Sequence, residues 1–354
     1  MARVRVCLIT YRRPALLPRA LASLRAQTFA DWTCEVHNND PADANPAALV
    51  AAAADARIGL VNADHPVDTV EAFNRAHQPA VEPYQTLLED DNWWEPNFLA
   101  TMVAILDRHP NVDLAWSNMR VWREEADGSW ADTGRKVWHL DDGPPREFRW
   151  PSLLQFDDCL YSNGSMLLRS RVAGRLLQPP DLPRDLFEQC RERMMNFPTL
   201  LVPAPLANFA ITRHTVRSTN YSVWGEMQTL LGAAFLAQVP LTADARAALW
   251  AHRRRLRPRS TSSLMFAGLV QRDWAFLRHA QAADWMLFIR GWVRRPLGSW
   301  RILRLRPRQR QTWQWLNAQL AARTAEARAR GFVALTANSL LDKQNPGQHG
   351  LSPA

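Results

Sequence analysis

Cysteine is scarce in this sequence of 354 residues, and the four cysteines are far apart. No two of them form a C-x-x-C pair, so neither a disulfide framework nor a structural zinc site is expected. The sequence instead predicts four small buried side chains, at Cys7, Cys34, Cys159 and Cys190.

Long apolar runs are also missing. No stretch reaches the roughly 20 residues that a membrane-spanning helix needs, and the first six residues lead into a strand-like run rather than a signal-peptide core. The composition, 47% hydrophobic and 22% charged residues, is that of a globular protein and excludes disordered, collagen-like and coiled-coil chains. We therefore expect a cytoplasmic protein of about two domains.

Lysine is nearly absent, because Lys136 and Lys343 are the only lysines among 43 basic residues. The arginines concentrate in residues 250–330, where 18 of them accompany three acidic residues. That segment has a net charge of +15, whereas the whole chain has +9. The basic character therefore belongs to the C-terminal region.

The first 110 residues alternate between strand and helix patterns. Four short apolar runs predict buried strands, and the segments between and after them have the spacing of amphipathic helices. This alternation is typical of a parallel sheet covered by helices, which binds ligands beyond the carboxyl ends of its strands. Polar clusters follow three of the runs, at residues 10–13, 38–40 and 89–91. We therefore expect these clusters to converge on one edge of the sheet.

The pattern changes after residue 113. Residues 114–122 and 130–138 predict a hairpin around Asp127-Gly128. Residues 182–196 predict a helix, and residues 199–211 a strand that contains two prolines. Beyond residue 222 the chain is predicted to be mostly helical.

Three adjacent acids, Glu89, Asp90 and Asp91, follow the fourth predicted strand. Neighbouring carboxylates repel one another unless a positive group neutralises them. Mg²⁺ or Mn²⁺ does so with hard oxygen ligands and substrate phosphates. The alternative is a solvated acidic loop that leads into the helix after Pro96, and the residues alone leave both interpretations open.

Two segments are similar to a known family: residues 6–14, V-C-L-I-T-Y-R-R-P, and residues 87–99, L-L-E-D-D-N-W-W-E-P-N-F-L. The first resembles the opening strand and helix of the family-2 inverting glycosyltransferases, and the second resembles their D-x-D segment. The resemblance covers roughly residues 3 to 220. It implies the GT-A fold, a mostly parallel α/β sheet flanked by helices.

The resemblance also implies roles for individual residues. Asp91 would ligate a Mg²⁺ or Mn²⁺ ion that bridges the diphosphate of a nucleotide-sugar, and Asp90 would contact the ribose or assist the metal. The family usually reads the base with an Asp after the second strand, where this sequence has Asn39 followed by Asp40. The nucleotide pocket would be lined by Thr10, Tyr11, Arg13 and Asn39.

Residues 184–191, R-D-L-F-E-Q-C-R, resemble the family's E-D motif, in which an Arg follows the Asp by six positions. Asp185 and Arg191 keep this spacing, whereas Arg184 replaces the usual Glu. An inverting transfer needs a carboxylate to accept the proton of the attacking hydroxyl. Asp185 is the predicted base and Glu188 the alternative. The alternative is that Asp185 has no catalytic role and is an ordinary carboxylate in the first turn of a helix.

Two further segments resemble the family. Asn163, Gly164 and Ser165 match the segment beside the acceptor and donor sugar, where Glu188 and Arg191 are also placed; a plain turn is the alternative. Residues 213–218, R-H-T-V-R-S, match the terminal motif that closes over the diphosphate. This implies that His214 contacts the nucleotide-sugar and the metal and that Arg217 binds the donor, unless His214 is an ordinary surface histidine.

The basic C-terminal region contains six residues at helical spacing with arginines beside them. One interpretation is a helix packed on the catalytic domain. The other is an amphipathic surface on anionic lipid, which would suit a lipid-linked acceptor. Nucleic acid is disfavoured, since no zinc-finger spacing or RNA-binding aromatic motif is present. The six residues are Trp274, Leu277, Gln281, Trp285, Phe288 and Trp292.

The sequence therefore predicts an inverting glycosyltransferase with a GT-A catalytic domain at residues 1–221, a helical basic region at 222–341 and a flexible tail at 342–354. It would act in the cytoplasm or at the inner face of the membrane, in surface polysaccharide or glycolipid synthesis. One alternative is a non-catalytic nucleotide-sugar-binding module, suggested by Asn39 and Arg184. Others are a protein that acts through its basic arm and a nucleotidyltransferase, although the latter lacks the expected Gly-rich basic loop.

Overall fold

The computed structural model of the protein describes residues 2–156, 158–180, 182, 184–213, 221–256 and 261–339. The predicted tail at 342–354 therefore lies outside the described residues. The chain divides into two compact units. The sheet unit comprises Met1–Phe148, Leu160–Arg184 and Phe197–Arg217. The helical unit comprises Arg149–Cys159, Asp185–Asn196 and Ser218–Ala354. The domain boundary at residue 221 stays a prediction.

The described residues form ten strands, all of them in one sheet of the sheet unit. They are β1 (Val4–Thr10), β2 (Trp32–Asn38), β3 (Ile58–Asn62), β4 (Tyr84–Glu89), β5 (Trp93–Trp94), β6 (Leu114–Glu124), β7 (Trp130–Lys136), β8 (Arg146–Phe148), β9 (Met166–Arg169) and β10 (Thr199–Ile211).

The helices of the described residues are divided between the two units. Those of the sheet unit are α1 (Leu17–Arg25), α2 (Asn45–Ala53), α3 (Thr69–Ala76), α4 (Phe98–Arg108) and α5 (Ser170–Ala173). Those of the helical unit are α6 (Phe187–Arg193), α7 (Tyr221–Gln238), α8 (Ala243–Leu256), α9 (Ser262–Gln271), α10 (Trp274–Leu277), α11 (Ala282–Arg294), α12 (Pro296–Leu303), α13 (Leu305–Arg308) and α14 (Arg310–Ala329).

The sheet has the order β3-β2-β1-β4-β9-β6-β10-β5, with β7 beside β6 and β8 beside β10. Strands β1 to β4 are mutually parallel. Their apolar runs are buried because helices of the βαβ units cover such sheets. For example, Val4, Val6 and Leu8 of β1 have no exposed surface. The predicted alternation of strand and helix is confirmed.

The hairpin and the last strand of the sheet unit lie where the sequence predicts them, and β10 is irregular at a proline. The hairpin of β6 and β7 is antiparallel, and Gly128 in its turn adopts a φ of 82°, which glycine tolerates best. Strand β10 extends over the predicted range but shifts register on both sides of Pro205, since proline has no N–H for the ladder.

The predicted helix at 182–196 is shorter than expected. A 3₁₀ turn at Arg184–Leu186 precedes α6, which ends at Arg193. A tighter turn follows α6, because the N–H groups of Met194 and Met195 donate to the carbonyls of Arg191 and Glu192 at 2.8 and 3.1 Å. The prediction was therefore wrong at both ends of this helix.

The helical unit has its own apolar core, built mainly from α7, α8, α9, α10 and α11. None of the helices in the described part of the chain is both long enough and apolar enough to span a bilayer. All four cysteines are buried, as predicted.

The prediction of one helical stripe from Trp274 to Trp292 is wrong. Asp273 caps α10 by accepting the N–H of Phe276 at 2.9 Å, and Gln281 and Asp284 form a capping box that begins α11. Two helices therefore replace the one expected. Leu277 and Phe288 are buried, whereas Trp274 is 64% exposed.

Candidate active site

The three polar clusters meet at the carboxyl edge of the parallel strands, as the sequence predicts. Thr10 at the end of β1 lies opposite Asn38 at the end of β2. The backbone N–H of Asn39 donates to the carbonyl of Thr10 at 3.0 Å. On the other side of β1, the N–H of Asp90 donates to the carbonyl of Ile9 at 3.1 Å.

Asp90 is buried and held by the loop that follows β1. Its Oδ2 accepts the hydroxyl proton of Thr10 at 2.8 Å and the N–H of Tyr11 at 3.3 Å. Arg13 Nη1 lies 3.3 Å from Oδ1. Burial and the charge of Asp91 raise the pKa of Asp90 to about 7, against the opposing effects of Arg13 and Thr10. The site therefore holds this carboxylate in position at an electrostatic cost.

Asp91 points to the surface more than Asp90 does, with 17% of its side chain exposed. It forms an ion pair with the same guanidinium, that of Arg13. Burial raises the pKa of Asp91, and Arg13 opposes the shift. Burial lowers the pKa of Arg13, but the charges of Asp91 and Asp90 outweigh it and the net shift is upward. Two carboxylates thus share one arginine.

The pair fits a divalent cation. Its oxygens are hard ligands, and a second positive charge would relieve the repulsion that raises both pKa values. The described residues contain no group of three or more His, Cys, Asp or Glu that could hold a metal by itself. Any cation at Asp90 and Asp91 therefore needs further ligands, and Mg²⁺ commonly takes substrate phosphates and waters.

Arg19 of α1 fixes the backbone of the acidic segment. Its Nη2 donates to the carbonyl of Asp91 at 2.8 Å. Its guanidinium carbon lies 3.8 Å from the ring centroid of Trp93 and 3.9 Å from that of Trp130. Among the described residues, Nε and Nη1 of Arg19 have no hydrogen-bond partner. The two indole faces supply cation–π attraction instead.

We predict that Arg19→Gln lowers the free energy of unfolding by about 1 to 2 kcal/mol, because it removes a partly desolvated cation from two aromatic faces. It should also weaken divalent-cation binding, because the carbonyl of Asp91 loses its anchor. Urea unfolding and a cation titration measure the two effects. Arg25→Gln, an exposed change on the same helix, should alter neither. Equal results for the two variants would contradict the assigned role of Arg19.

Asn92 and Gly164 connect the acidic segment to neighbouring parts of the sheet unit. The Asn92 amide donates to Glu89 Oε2 at 2.8 Å and accepts the N–H of Ala210 at 3.0 Å. The carbonyl of Gly164 accepts the indole N–H of Trp94 at 2.6 Å. These contacts tie the segment to β10 and to the 3₁₀ turn Asn163–Ser165.

At the end of β2, Asn39 and Asp40 are both buried. The carboxylate of Asp40 accepts the N–H of Ala42 at 3.1 Å and is paired with Arg12. The hydrogen bond from Arg12 lowers the pKa of Asp40. Among the described residues, the Asn39 side chain makes no hydrogen bond, so its amide is available to a ligand.

A comparison with known proteins covers the segment that forms this edge. Residues 5–160 match the family model for glycosyl transferase family 2. The chain contains a family 2 glycosyl transferase domain. The matched segment includes β1 to β8, and with them Thr10, Asn39 and the acidic pair. The predicted enzyme class, a glycosyltransferase, agrees with this match.

Solved structures agree on the fold. S. aureus TarS 1–349 is similar with a TM-score of 0.53 at 12% identity, over 94% of this chain and 92% of that one. The same protein in complex with UDP-GlcNAc gives a TM-score of 0.52 at 13% identity, over the same shares of the two chains. The predicted GT-A fold with a helical C-terminal region is confirmed.

One curated relative is the uncharacterized protein y4gI of Sinorhizobium fredii (strain NBRC 101917 / NGR234). It is 28% identical over 107 residues, which are 30% of this chain. The match spans 12% of the length of that relative.

The family 2 domain does not contain every predicted site residue. Asn163, Gly164 and Ser165 follow the matched segment but belong to the sheet unit. Gly164 and Ser165 are both buried, and Gly164 lies beside the side chains of Glu89 and Asn92. His214 and Arg217 lie outside the described residues. These roles stay predictions.

The E-D segment belongs to the helical unit. The backbone of Asp185 lies in the 3₁₀ turn before α6, and its side chain is outside the description. Glu188 is half-buried, and Arg191 is buried with its guanidinium carbon 5.8 Å from the Phe187 ring centroid. Asp185 as the base and Glu188 as its alternative both stay predictions.

Sequence reasoning missed two residues of the site, Arg19 and Asn92. Asn92 lies inside the recognised acidic segment, but its spacing does not reveal that it bonds β10. Arg19 occupies the polar side of α1, where an arginine is typically solvated. Only the fold brings Trp93 and Trp130 together around it.

Proposed function

We propose that the protein transfers a sugar, with inversion at the anomeric carbon, from a nucleotide-diphosphate sugar to an acceptor hydroxyl. The observation that carries the proposal is the pair Asp90 and Asp91, held at the carboxyl edge of a family 2 domain by Thr10 and Arg13. The complex of the structurally similar TarS with UDP-GlcNAc supports a nucleotide-sugar donor.

Donor binding follows from the charges at this edge. Asp91, with Asp90, would hold a Mg²⁺ or Mn²⁺ ion, which supplies charge stabilisation for the departing diphosphate when it is bound. Arg13 stays cationic and keeps both carboxylates aligned. Tyr11 is 41% exposed, and its ring would lie at the rim of the nucleotide pocket. The amide of Asn39 would contact the nucleobase.

The transfer itself needs a base. The acceptor oxygen forms a bond to the anomeric carbon as the bond from that carbon to the diphosphate oxygen breaks. We propose that the carboxylate of Asp185 accepts the hydroxyl proton. The proposal assigns Asn163, Gly164, Ser165, Glu188 and Arg191 to the acceptor and donor sugar, and His214 and Arg217 to the diphosphate; His214 would also contact the metal.

The acceptor is proposed to be carried on lipid, as in surface polysaccharide or glycolipid synthesis. The support is the net charge of +15 in residues 250–330, since arginines near an anionic membrane are attracted to it. The enzyme would then work in the cytoplasm, peripherally at the inner face of the membrane.

A donor screen tests the proposal. The purified chain is incubated with UDP-, dTDP-, GDP- and CMP-sugars, with Mn²⁺, Mg²⁺ or EDTA, and with a lipid extract as acceptor source. We expect release of one nucleotide, abolished by EDTA, and a product whose anomeric configuration by NMR is opposite to that of the donor. Nucleotide binding without release from any donor would instead indicate a non-catalytic module.

A further inference from the structure

Helix α11 is apolar on two opposite faces. One face, with Phe288 and part of Trp292, packs in the core of the helical unit. The opposite face presents Met286, Ile289 and Val293, which are 71%, 56% and 73% exposed. These three residues have the spacing i, i+3 and i+7 of a single helical face. The three exposed residues therefore lie on the face opposite the one that packs in the core.

Exposed apolar residues continue into α12. Arg295 ends α11 and caps α12, so Val293 and Leu297 are at most about 14 Å apart. Leu297 is 80% exposed and Trp300 is 50% exposed. We call these five residues the outer patch: Met286, Ile289, Val293, Leu297 and Trp300. Exposed apolar clusters of this kind mark interaction surfaces.

The charge around the outer patch is mostly positive, although Arg301 and Arg308 both pair with Glu226. Residues 285–325 contain nine arginines and no acidic residue. Arg290, Arg294 and Arg295 are exposed, and none of them has an ion-pair partner within the described part of the chain. Arg304 stacks on Trp300, with 4.7 Å from its guanidinium carbon to the ring centroid. The patch thus combines apolar side chains with uncompensated positive charge.

We propose that the outer patch docks on an anionic lipid surface, with α11 and α12 lying in the plane of the membrane. Apolar side chains would enter the headgroup boundary while the arginines contact lipid phosphates. The 13 residues of α11 extend about 20 Å, which is too short to span a bilayer.

Other occupants fit less well. A symmetric contact between two copies would place the same arginines against one another, and like charges across an interface cost several kcal/mol. Nucleic acid would pair with the arginines but would leave Met286, Ile289 and Val293 in water. The proposal rests on the proposed function for its purpose, a lipid-carried acceptor. Lipid binding itself does not require sugar transfer.

Vesicle co-sedimentation of the full chain tests the proposal, in 0.1 M salt without nucleotide or divalent cation. We expect pelleting with phosphatidylcholine vesicles that contain 30% phosphatidylglycerol and none with pure phosphatidylcholine. Ile289→Ser with Val293→Ser should lower the partition coefficient at least about tenfold, since two buried side chains are lost. The matched control is Val81→Ser with Val333→Ser, which are 79% and 80% exposed elsewhere.

The arginines are tested separately. Replacement of Arg290, Arg294 and Arg295 by Gln should weaken binding about fivefold for each residue. The control variant loses the same charge at three other exposed positions, Arg25, Arg108 and Arg328, and should bind nearly as well as wild type.

Three results would contradict the proposal. No pelleting of the wild type, or equal pelleting of the test and control variants, would overturn the proposal. So would a dimer in analytical ultracentrifugation that the Ile289 and Val293 changes dissolve, because it would assign the patch to a second copy. The same variants are also assayed for nucleotide release from the donor in detergent, and this release should be unchanged. The assay separates a loss of lipid binding from a failure of the proposed transfer.

Discussion

Asp91→Asn is expected to lower kcat/KM for sugar transfer by about 10²- to 10³-fold. The change removes one of two carboxylates that would hold the cation, and with it charge stabilisation of the departing diphosphate. Stability should not fall by more than about 1 kcal/mol, because Arg13 keeps its contact with Asp90 and the repulsion between the two acids disappears. Donor-release kinetics and thermal unfolding measure the two quantities.

Asp141→Asn is the matched control, since Asp141 belongs to the same unit and its side chain is 98% exposed. It should leave both activity and stability unchanged. Nearly normal turnover in folded Asp91→Asn would contradict the assigned role of Asp91. A large loss of stability in that variant would mean that the lost activity reports unfolding, and Asp91→Glu, which keeps the charge, should then restore part of it.

Asp185→Asn is expected to reduce kcat by about 10²- to 10⁴-fold, the usual contribution of a general base. The pH profile distinguishes this role from a structural one. The wild type should lose activity as pH falls and its base becomes protonated, whereas the residual activity of Asp185→Asn should lack that dependence. As a helix-terminal carboxylate alone, Asp185 would contribute only about 0.3 to 1 kcal/mol of stability.

Glu188→Gln is the comparison variant, because Glu188 lies three residues later and is the alternative base. It should retain most of kcat with the wild-type pH dependence. The opposite pattern, a large loss in Glu188→Gln and little change in Asp185→Asn, would assign the base to Glu188 instead.

The parallel half of the sheet was predictable because local patterns determine it. Each of β1 to β4 is a short apolar run, and the rule for parallel sheets then brings Thr10, Asn39 and Asp91 to one edge. Asp68 is another local feature: its side chain accepts the N–H of Glu71 at 2.9 Å and caps α3, a role for which Asp is a preferred residue type.

The support of the site was not predictable, because it depends on contacts between distant segments. Arg19 reaches Asp91 only after β5 and β7 place Trp93 and Trp130 beside it. Asn92 bonds a strand more than a hundred residues away. No local periodicity encodes such pairs.

The basic region shows a different limit. Helical spacing predicted one apolar stripe in residues 274–292, but spacing alone does not say where a helix is interrupted. The caps at Asp273 and Gln281 divide the stripe. They turn Phe288 inward and leave Ile289 outside, so the exposed surface differs from the predicted one.

The central claim is that the edge formed by Thr10, Asp90 and Asp91 binds a nucleotide diphosphate together with a divalent cation. The most direct measurement is a thermal-shift series with UDP, dTDP, GDP and CMP, with and without Mn²⁺, on wild type and Asp91→Asn. Ligand at 100 times its Kd should add about 2.7 kcal/mol of stability. The account predicts a shift with one of the three diphosphates in wild type that requires Mn²⁺ and disappears in Asp91→Asn. No shift with any nucleotide, or a shift indifferent to both Mn²⁺ and Asp91, would contradict it.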